Sequence, residues 1–234
     1  MSSTLLQLRT KILEPIDSQE AISSDDDATY SVAEVNRYIN EGIDSAEAII
    51  HSIYEDYFLA NEAIAIVSGT KKYGLPADIY ATKIRKILFD DGSEDYIIRR
   101  IKQLEDVNTF ESNDDYKYML TNNLAEGIKL NVYPTPTFTD ATTVVMYYIR
   151  QAKTLALDAD MIDIPEFEKY VILYARRECL KKQIGNPILE YTVKELKDEE
   201  ILMVGTLATK VPDEDANLEL DTSFYDDFYN TGNI

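Results

Sequence analysis

GIKLNVYPTPTFTDATTVVMYYIR, residues 127–150, is the stretch on which the reading of the fold turns. Ile128, Leu130 and Val132 alternate with Lys129 and Asn131, the period of two that marks a half-buried strand. Thr143 to Ile149 is apolar on both faces and rich in Val, Met and Tyr, which predicts a strand covered on both sides. Pro134 and Pro136 have no N–H to give to a sheet ladder, so they belong to a connection. The stretch reads as a hairpin around a Pro-Thr-Pro turn.

Outward from it, the upstream chain alternates strands and turns. Glu62 to Ser68 has a strand pattern with Ile64 and Ile66 on one face, and Leu75-Pro76-Ala77-Asp78 punctuates the chain beyond it. Ile79 to Phe89 and Tyr96 to Ile101 form a second predicted hairpin, across Asp90-Asp91-Gly92. Tyr116 to Thr121 is a further strand. Nearer the N-terminus the period changes. Leu5, Leu6, Leu8 and Ile12 suggest a short helix ending near Pro15. Ser31 and Glu34 have the spacing of a capping box, with Tyr30 and Val35 where a hydrophobic staple would stand. Val35, Ile39, Ile43, Ala46, Ile50 and Ile53 then make one apolar stripe, predicting a helix from about Ser31 to about Ile53. That stripe serves either the core or a subunit contact.

Downstream the chain is helical. Asp163-Ile164-Pro165-Glu166 reads as a capping acid, a first-turn proline and an acid favoured by the helix dipole. Phe167, Tyr170, Val171, Tyr174 and Leu180 give a broad apolar face, and Gly185 with Pro187 ends the helix after the cations Arg176, Arg177, Lys181 and Lys182. A last helix spans about Ile188 to Ala208, with Leu189, Val193, Leu196, Met203 and Leu207 on one side. The short link predicts an antiparallel pair. The expected fold class is α+β: a helical bundle formed by N- and C-terminal helices, with a β-rich inserted module. The expected parts are residues 1–60, 61–152, 153–210 and an acidic aromatic tail, 211–234. The tail has no Lys or Arg and carries Phe224, Tyr225, Phe228 and Tyr229. It reads either as a solvated terminus or as a segment that docks on another subunit through those aromatics.

The 43 acidic residues against 23 basic ones, net charge -20, argue against a protein that grips phosphates or an anionic membrane. Two uses of the charge stay open: solubility, or a surface that must not stick to nucleic acid. The single cysteine excludes an internal disulfide. Without a signal-peptide pattern or an apolar run near the roughly 18–20 residues of a membrane span, a soluble protein of a reducing compartment is expected.

Signatures of chemistry are absent. There is no Walker-type phosphate loop, dinucleotide fingerprint, H-E-x-x-H or nucleophile elbow. His51 is the only histidine and reads as a packing or surface residue. Cys179, in a helix with Ile172 and Ala175 on the same side, reads as an inert packed thiol. Asp25-Asp26-Asp27 and Asp90-Asp91-Gly92 do not match a calcium loop and read as solvated loop and turn. No cofactor, no metal site and no enzymatic activity are expected.

The order of features resembles a known family. Val35-Asn36-Arg37-Tyr38-Ile39-Asn40 is followed by Leu75-Pro76-Ala77-Asp78-Ile79, then by Ile128-Lys129-Leu130 running into Tyr133-Pro134-Thr135-Pro136. Met146-Tyr147-Tyr148-Ile149-Arg150 and Ile162-Asp163-Ile164-Pro165 complete it. From Leu5 to Ala208 the chain resembles the head-to-tail adaptor (connector) proteins of tailed bacteriophages, especially the short-tailed and crAss-like kinds. The resemblance implies a ring, commonly twelvefold, docked beneath the portal protein and extending the channel that DNA passes through without specific binding. It also implies tail or further neck ring proteins as partners, and a virion location after assembly in the host cytoplasm. A C-terminal segment reaching the portal would place Phe224, Tyr225, Phe228 and Tyr229 at that contact. The rival readings are another neck ring or tail-tube protein, a non-virion acidic inhibitor of a DNA-binding enzyme, and a carboxylate-dependent metal hydrolase.

Overall fold

The computed structural model describes residues 2–16, 30–90, 95–103, 115–140, 143–183 and 186–211. Among them are four α-helices: α1 (Leu5–Leu13), α2 (Val32–Ile53), α3 (Glu168–Leu180) and α4 (Ile188–Lys210). Eight strands lie between α2 and α3: β1 (Leu59–Ala63), β2 (Lys72–Tyr73), β3 (Ile79–Asp90), β4 (Asp95–Ile97), β5 (Arg99–Arg100), β6 (Lys117–Asn123), β7 (Gly127–Tyr133) and β8 (Val144–Arg150). The α+β class stands. Asp25-Asp26-Asp27, Asp91-Gly92, Gly185 and the tail aromatics lie outside the described residues.

The helix starts follow local chemistry, with two departures from expectation. Thr4 and Gln7 make a reciprocal capping box at α1: Gln7 N donates to Thr4 Oγ1 at 3.3 Å, and Thr4 N donates to Gln7 Oε1 at 2.9 Å. At α2, Ser31 Oγ accepts from Glu34 N at 3.2 Å, but the Glu34 carboxylate does not return to the cap. It accepts instead from Tyr38 Oη at 2.9 Å and pairs with Lys182 at 2.5 Å, fastening the start of α2 to the chain beyond α3. Asp163 is not a cap either. Its Oδ2 is taken by Arg150 Nη1 at 2.6 Å and Lys153 N at 3.0 Å, so no side chain caps the 3₁₀ turn Pro165–Phe167 that leads into α3. An ion pair that ties the last strand to the first helical turn outcompetes the cap.

α3 lies within the helical layer and packs on α1, α2 and α4. This explains why Tyr170, Val171, Ile172, Leu173, Ala175, Cys179 and Leu180 are all buried although they do not form one narrow stripe. α2 keeps the one-sided pattern, burying Val35, Tyr38, Ile39, Gly42, Ile43, Ala46 and Ile50. Gly42 marks the closest approach of α2 to α3, where a Cβ would meet the Val171 carbonyl oxygen at 3.2 Å and Val171 Cγ1 at 3.3 Å.

The strands form two four-stranded sheets, ordered β1-β8-β3-β4 and β2-β7-β6-β5. Ile87, Val144 and Met146 of the first face Tyr118, Leu130 and Val132 of the second across a shared core, a sandwich packing. The expected hairpin of residues 127–150 is therefore corrected: β7 and β8 belong to different sheets. β7 pairs antiparallel with β6 along its whole length, from Lys117 opposite Tyr133 to Asn123 opposite Gly127. β8 lies between β1 and β3. The proline-bearing connection is a crossover between sheets.

The two strands of the hairpin expected around Asp90-Asp91-Gly92 do pair antiparallel, with Leu88 opposite Ile97 and Phe89 opposite Tyr96. Its second strand then divides at Ile98: β4 edges the first sheet and β5 edges the second. The strand expected at Glu62 to Ser68 sits earlier, at Leu59–Ala63, and Ile66 makes only a bridge to Asp140.

β8 joins the halves. Val144, Met146 and Tyr148 belong to the sandwich core, whereas Ile149 is fully buried in the helical core with Phe58 and Phe167. The coverage expected on both faces is real at that end, while Val145 and Tyr147 are half-buried. Beyond β8 the chain is strapped along α2: Ala152 N donates to Glu47 Oε1 at 3.0 Å, and Leu155 exchanges two hydrogen bonds with Asn40 at 2.9 and 3.0 Å.

Candidate interaction surfaces

The side chains of the one cysteine and the one histidine are packed away. Cys179 is fully buried, and burial pushes its thiol up to about 12, far from a nucleophilic thiolate. Tyr30 Oη donates to the Cys179 carbonyl at 2.9 Å, closing the neighbourhood. His51 is a half-buried residue whose side chain is only 4% exposed and stacks on Tyr80, ring centroids 3.8 Å apart, with Nε2 at 3.2 Å from Glu47 Oε1. Burial lowers its pKa, against the pull of Glu47. Among the described residues no three His, Cys, Asp or Glu side chains are placed to hold a metal ion, and no helix is long and apolar enough to cross a membrane. An open groove of about 720 Å³ beside α1 is lined by residues including Ser3, Leu6, Gln7, Lys11 and Met161; Ser3 Oγ there donates to Glu168 Oε1 at 2.9 Å and accepts from Lys11 Nζ at 2.8 Å.

Contact area of two kinds is what the described surface offers. The first is the C-terminal half of α4, where Ile201-Leu202-Met203-Val204-Gly205-Thr206-Leu207-Ala208 carries no charge. Met203 and Leu207 pack inward, while Ile201 is 69% and Leu202 61% exposed. The expected stripe is there; the apolar residues on the other side were missed, although the uncharged run signalled them. Exposed apolar residues grouped in this way make the face a candidate for contact.

The second is the outer edge of the sandwich at β4 and β5. Tyr96, Ile97, Arg99 and Arg100 are exposed there, Ile97 by 58%. No described carboxylate pairs with Arg99, Arg100 or Lys102. By contrast Lys83 and Arg85, one strand inward, are engaged: Lys83 pairs with Glu55, and Arg85 reaches Glu55 at 2.6 Å and Asp56 at 2.6 Å. An irregularity in β3, with Ala81 (φ 46°) and Thr82 (φ 56°) in the left-handed region, precedes those two cations on the approach to the helical half. The tail residues Phe224, Tyr225, Phe228 and Tyr229 lie outside the described residues, so the structure brings them to no site.

The described α+β chain thus combines two cores with exposed apolar and cationic edges that offer contact area. The SU10 adaptor protein family model matches residues 3–186, and the chain belongs to that family. It is thus a phage structural head-to-tail adaptor. No curated protein matches the chain. The family match takes in both sheets and α1 to α3, and ends before α4 and the tail.

Proposed function

We propose that this chain forms a ring in the virion neck, twelvefold, beneath the portal protein, joining the filled head to tail or further neck ring proteins. The phage would be of the short-tailed or crAss-like kind, with assembly in the host cytoplasm. The observation that carries the reading is the family match across both halves of the fold. The helical bundle (1–60 and 153–210) and the sheet module (61–152) act as two contact modules, and the tail docks on another subunit through Phe224, Tyr225, Phe228 and Tyr229. Ring contacts are heterologous, each copy presenting two different patches.

The charge supports a conduit. Outside residues 59–150 the chain has 30 acidic and 12 basic residues, and within them 13 and 11. A carboxylate-rich wall repels phosphates over about 8–10 Å near physiological salt, so DNA passes without being held.

Depletion of the protein in infected cells tests the function. Filled heads without tails should accumulate, and adding the purified protein should restore tail joining. Normal tailed particles assembled without it would overturn the proposal.

A further inference from the structure

We propose that the β4–β5 edge of one copy is the receptor for the acidic aromatic tail of a second copy of this chain. The inference rests on the adaptor reading and names the partner for its tail contact. β4 and β5 are the outer strands of their two sheets, and no described strand pairs with their outer sides. Because they are consecutive, residues 95–100 make one edge about 20 Å long that borders both sheets. An unpaired edge of this kind accepts an extended peptide by main-chain hydrogen bonding, with alternate side chains setting specificity.

The side chains define the peptide. Ile97 and Arg99 share one parity of the edge, Tyr96 and Arg100 the other, so each parity offers an exposed apolar surface and a cation. Lys102 adds a third charge beside them. The matching ligand has aromatic and acidic residues on both faces of an extended strand. Residues 224–229, Phe-Tyr-Asp-Asp-Phe-Tyr, have that pattern: Phe224, Asp226 and Phe228 alternate with Tyr225, Asp227 and Tyr229. From Val211 to Tyr229 the chain contains seven acids and no base, the complement of an edge whose cations have no described carboxylate. The 13 steps from Val211 to Phe224 can span up to about 45 Å when extended, which gives the tail reach beyond its own protomer. Each copy has one edge and one tail, so the contact is head-to-tail, the heterologous kind from which a ring is built when the rotation between copies closes.

Cysteine linking in the full-length chain tests this, because Cys179 is buried and introduced cysteines are then the accessible ones. Ile97→Cys protein is mixed with Tyr229→Cys protein and mildly oxidised, both as concentrated purified protein and within assembled necks. The mixture should yield a two-chain product joined at those positions. Adding Arg99→Glu and Arg100→Glu to the edge chain should cut that product about tenfold. Asp226→Lys and Asp227→Lys in the tail chain should restore it. A doubly substituted chain that links to itself and not to its neighbour overturns the second copy as partner. A yield indifferent to the charge swap, or no product in either setting, overturns the edge as receptor, leaving its arginines as guards against unwanted strand pairing. Antibody labelling of the neck is scored separately: label without linking sinks this contact alone, and linking without label sinks the adaptor reading alone.

Discussion

The helical and the sheet halves of this chain solve burial differently. In the helical half, α3 is packed on three sides by α1, α2 and α4, and the sequence outside residues 59–150 is strongly acidic. The sheet half has nearly balanced charge, cations without described carboxylates at one edge, and a sandwich core of its own. The difference teaches where partners can attach: at the outer side of α4 and the β4–β5 edge, away from the close packing around α3. What keeps the halves from being independent is β8, which contributes Met146 to one core and Ile149 to the other.

The largest expected effect tests that bridge. Ile149→Ala should cost about 3–4 kcal/mol, as a fully buried large-to-small change does, while unfolding stays a single transition in calorimetry. Two resolved transitions would show that β8 does not couple the cores. Next, Gly42→Val should cost about 2–3 kcal/mol in denaturant titrations, since its side chain would drive into the Val171 backbone. A neutral result would mean that α2 and α3 part easily and the helical half is not the tighter one. Thr4→Ala removes the α1 capping box and should cost about 1 kcal/mol.

The smallest effect concerns pH at the junction, where His51 of α2 stacks on Tyr80 of β3. Burial holds its folded pKa below the ordinary 6.5, with Glu47 pulling the other way and Lys83 adding to the lowering. The unfolded chain therefore takes up a proton that the folded chain resists. Stability present above pH 6.5 is lost as the pH falls through the lowered folded value. Melting temperatures taken from neutral pH to about 5.5 should fall less steeply in His51→Gln than in the parent. Equal slopes would remove His51 from the junction's pH response.

How much of this was legible in the sequence depended on whether the signal was local. The α2 boundaries were, because Ser31 and a one-sided stripe fix both the start and the buried face. α4 was also legible within two residues of its end. Strand positions could be read, but strand partners could not. The period of two in residues 127–133 puts Leu130 and Val132 inward correctly, but Ile128 is exposed and Asn131 is buried, because the strand is covered on both faces from Leu130 to Tyr133. Nor does the period say whether β6 or β8 lies beside it. The capping acids failed for one shared reason: Glu34 and Asp163 found cations, Lys182 and Arg150, that are distant in sequence. The β4–β5 edge was invisible because the break at Ile98, which sends one predicted strand into two sheets, is a tertiary event. The exposed side of α4 was legible in retrospect, as eight consecutive residues without a charge.

The central claim, a ring at the head-to-tail junction, is tested most directly by imaging antibody against this protein on purified virions and on particles that have lost their tails. The account predicts label at one unique vertex, hidden in whole particles and exposed on tailless ones. Label further along the tail, or no reaction with any virion protein even after disruption, would contradict it.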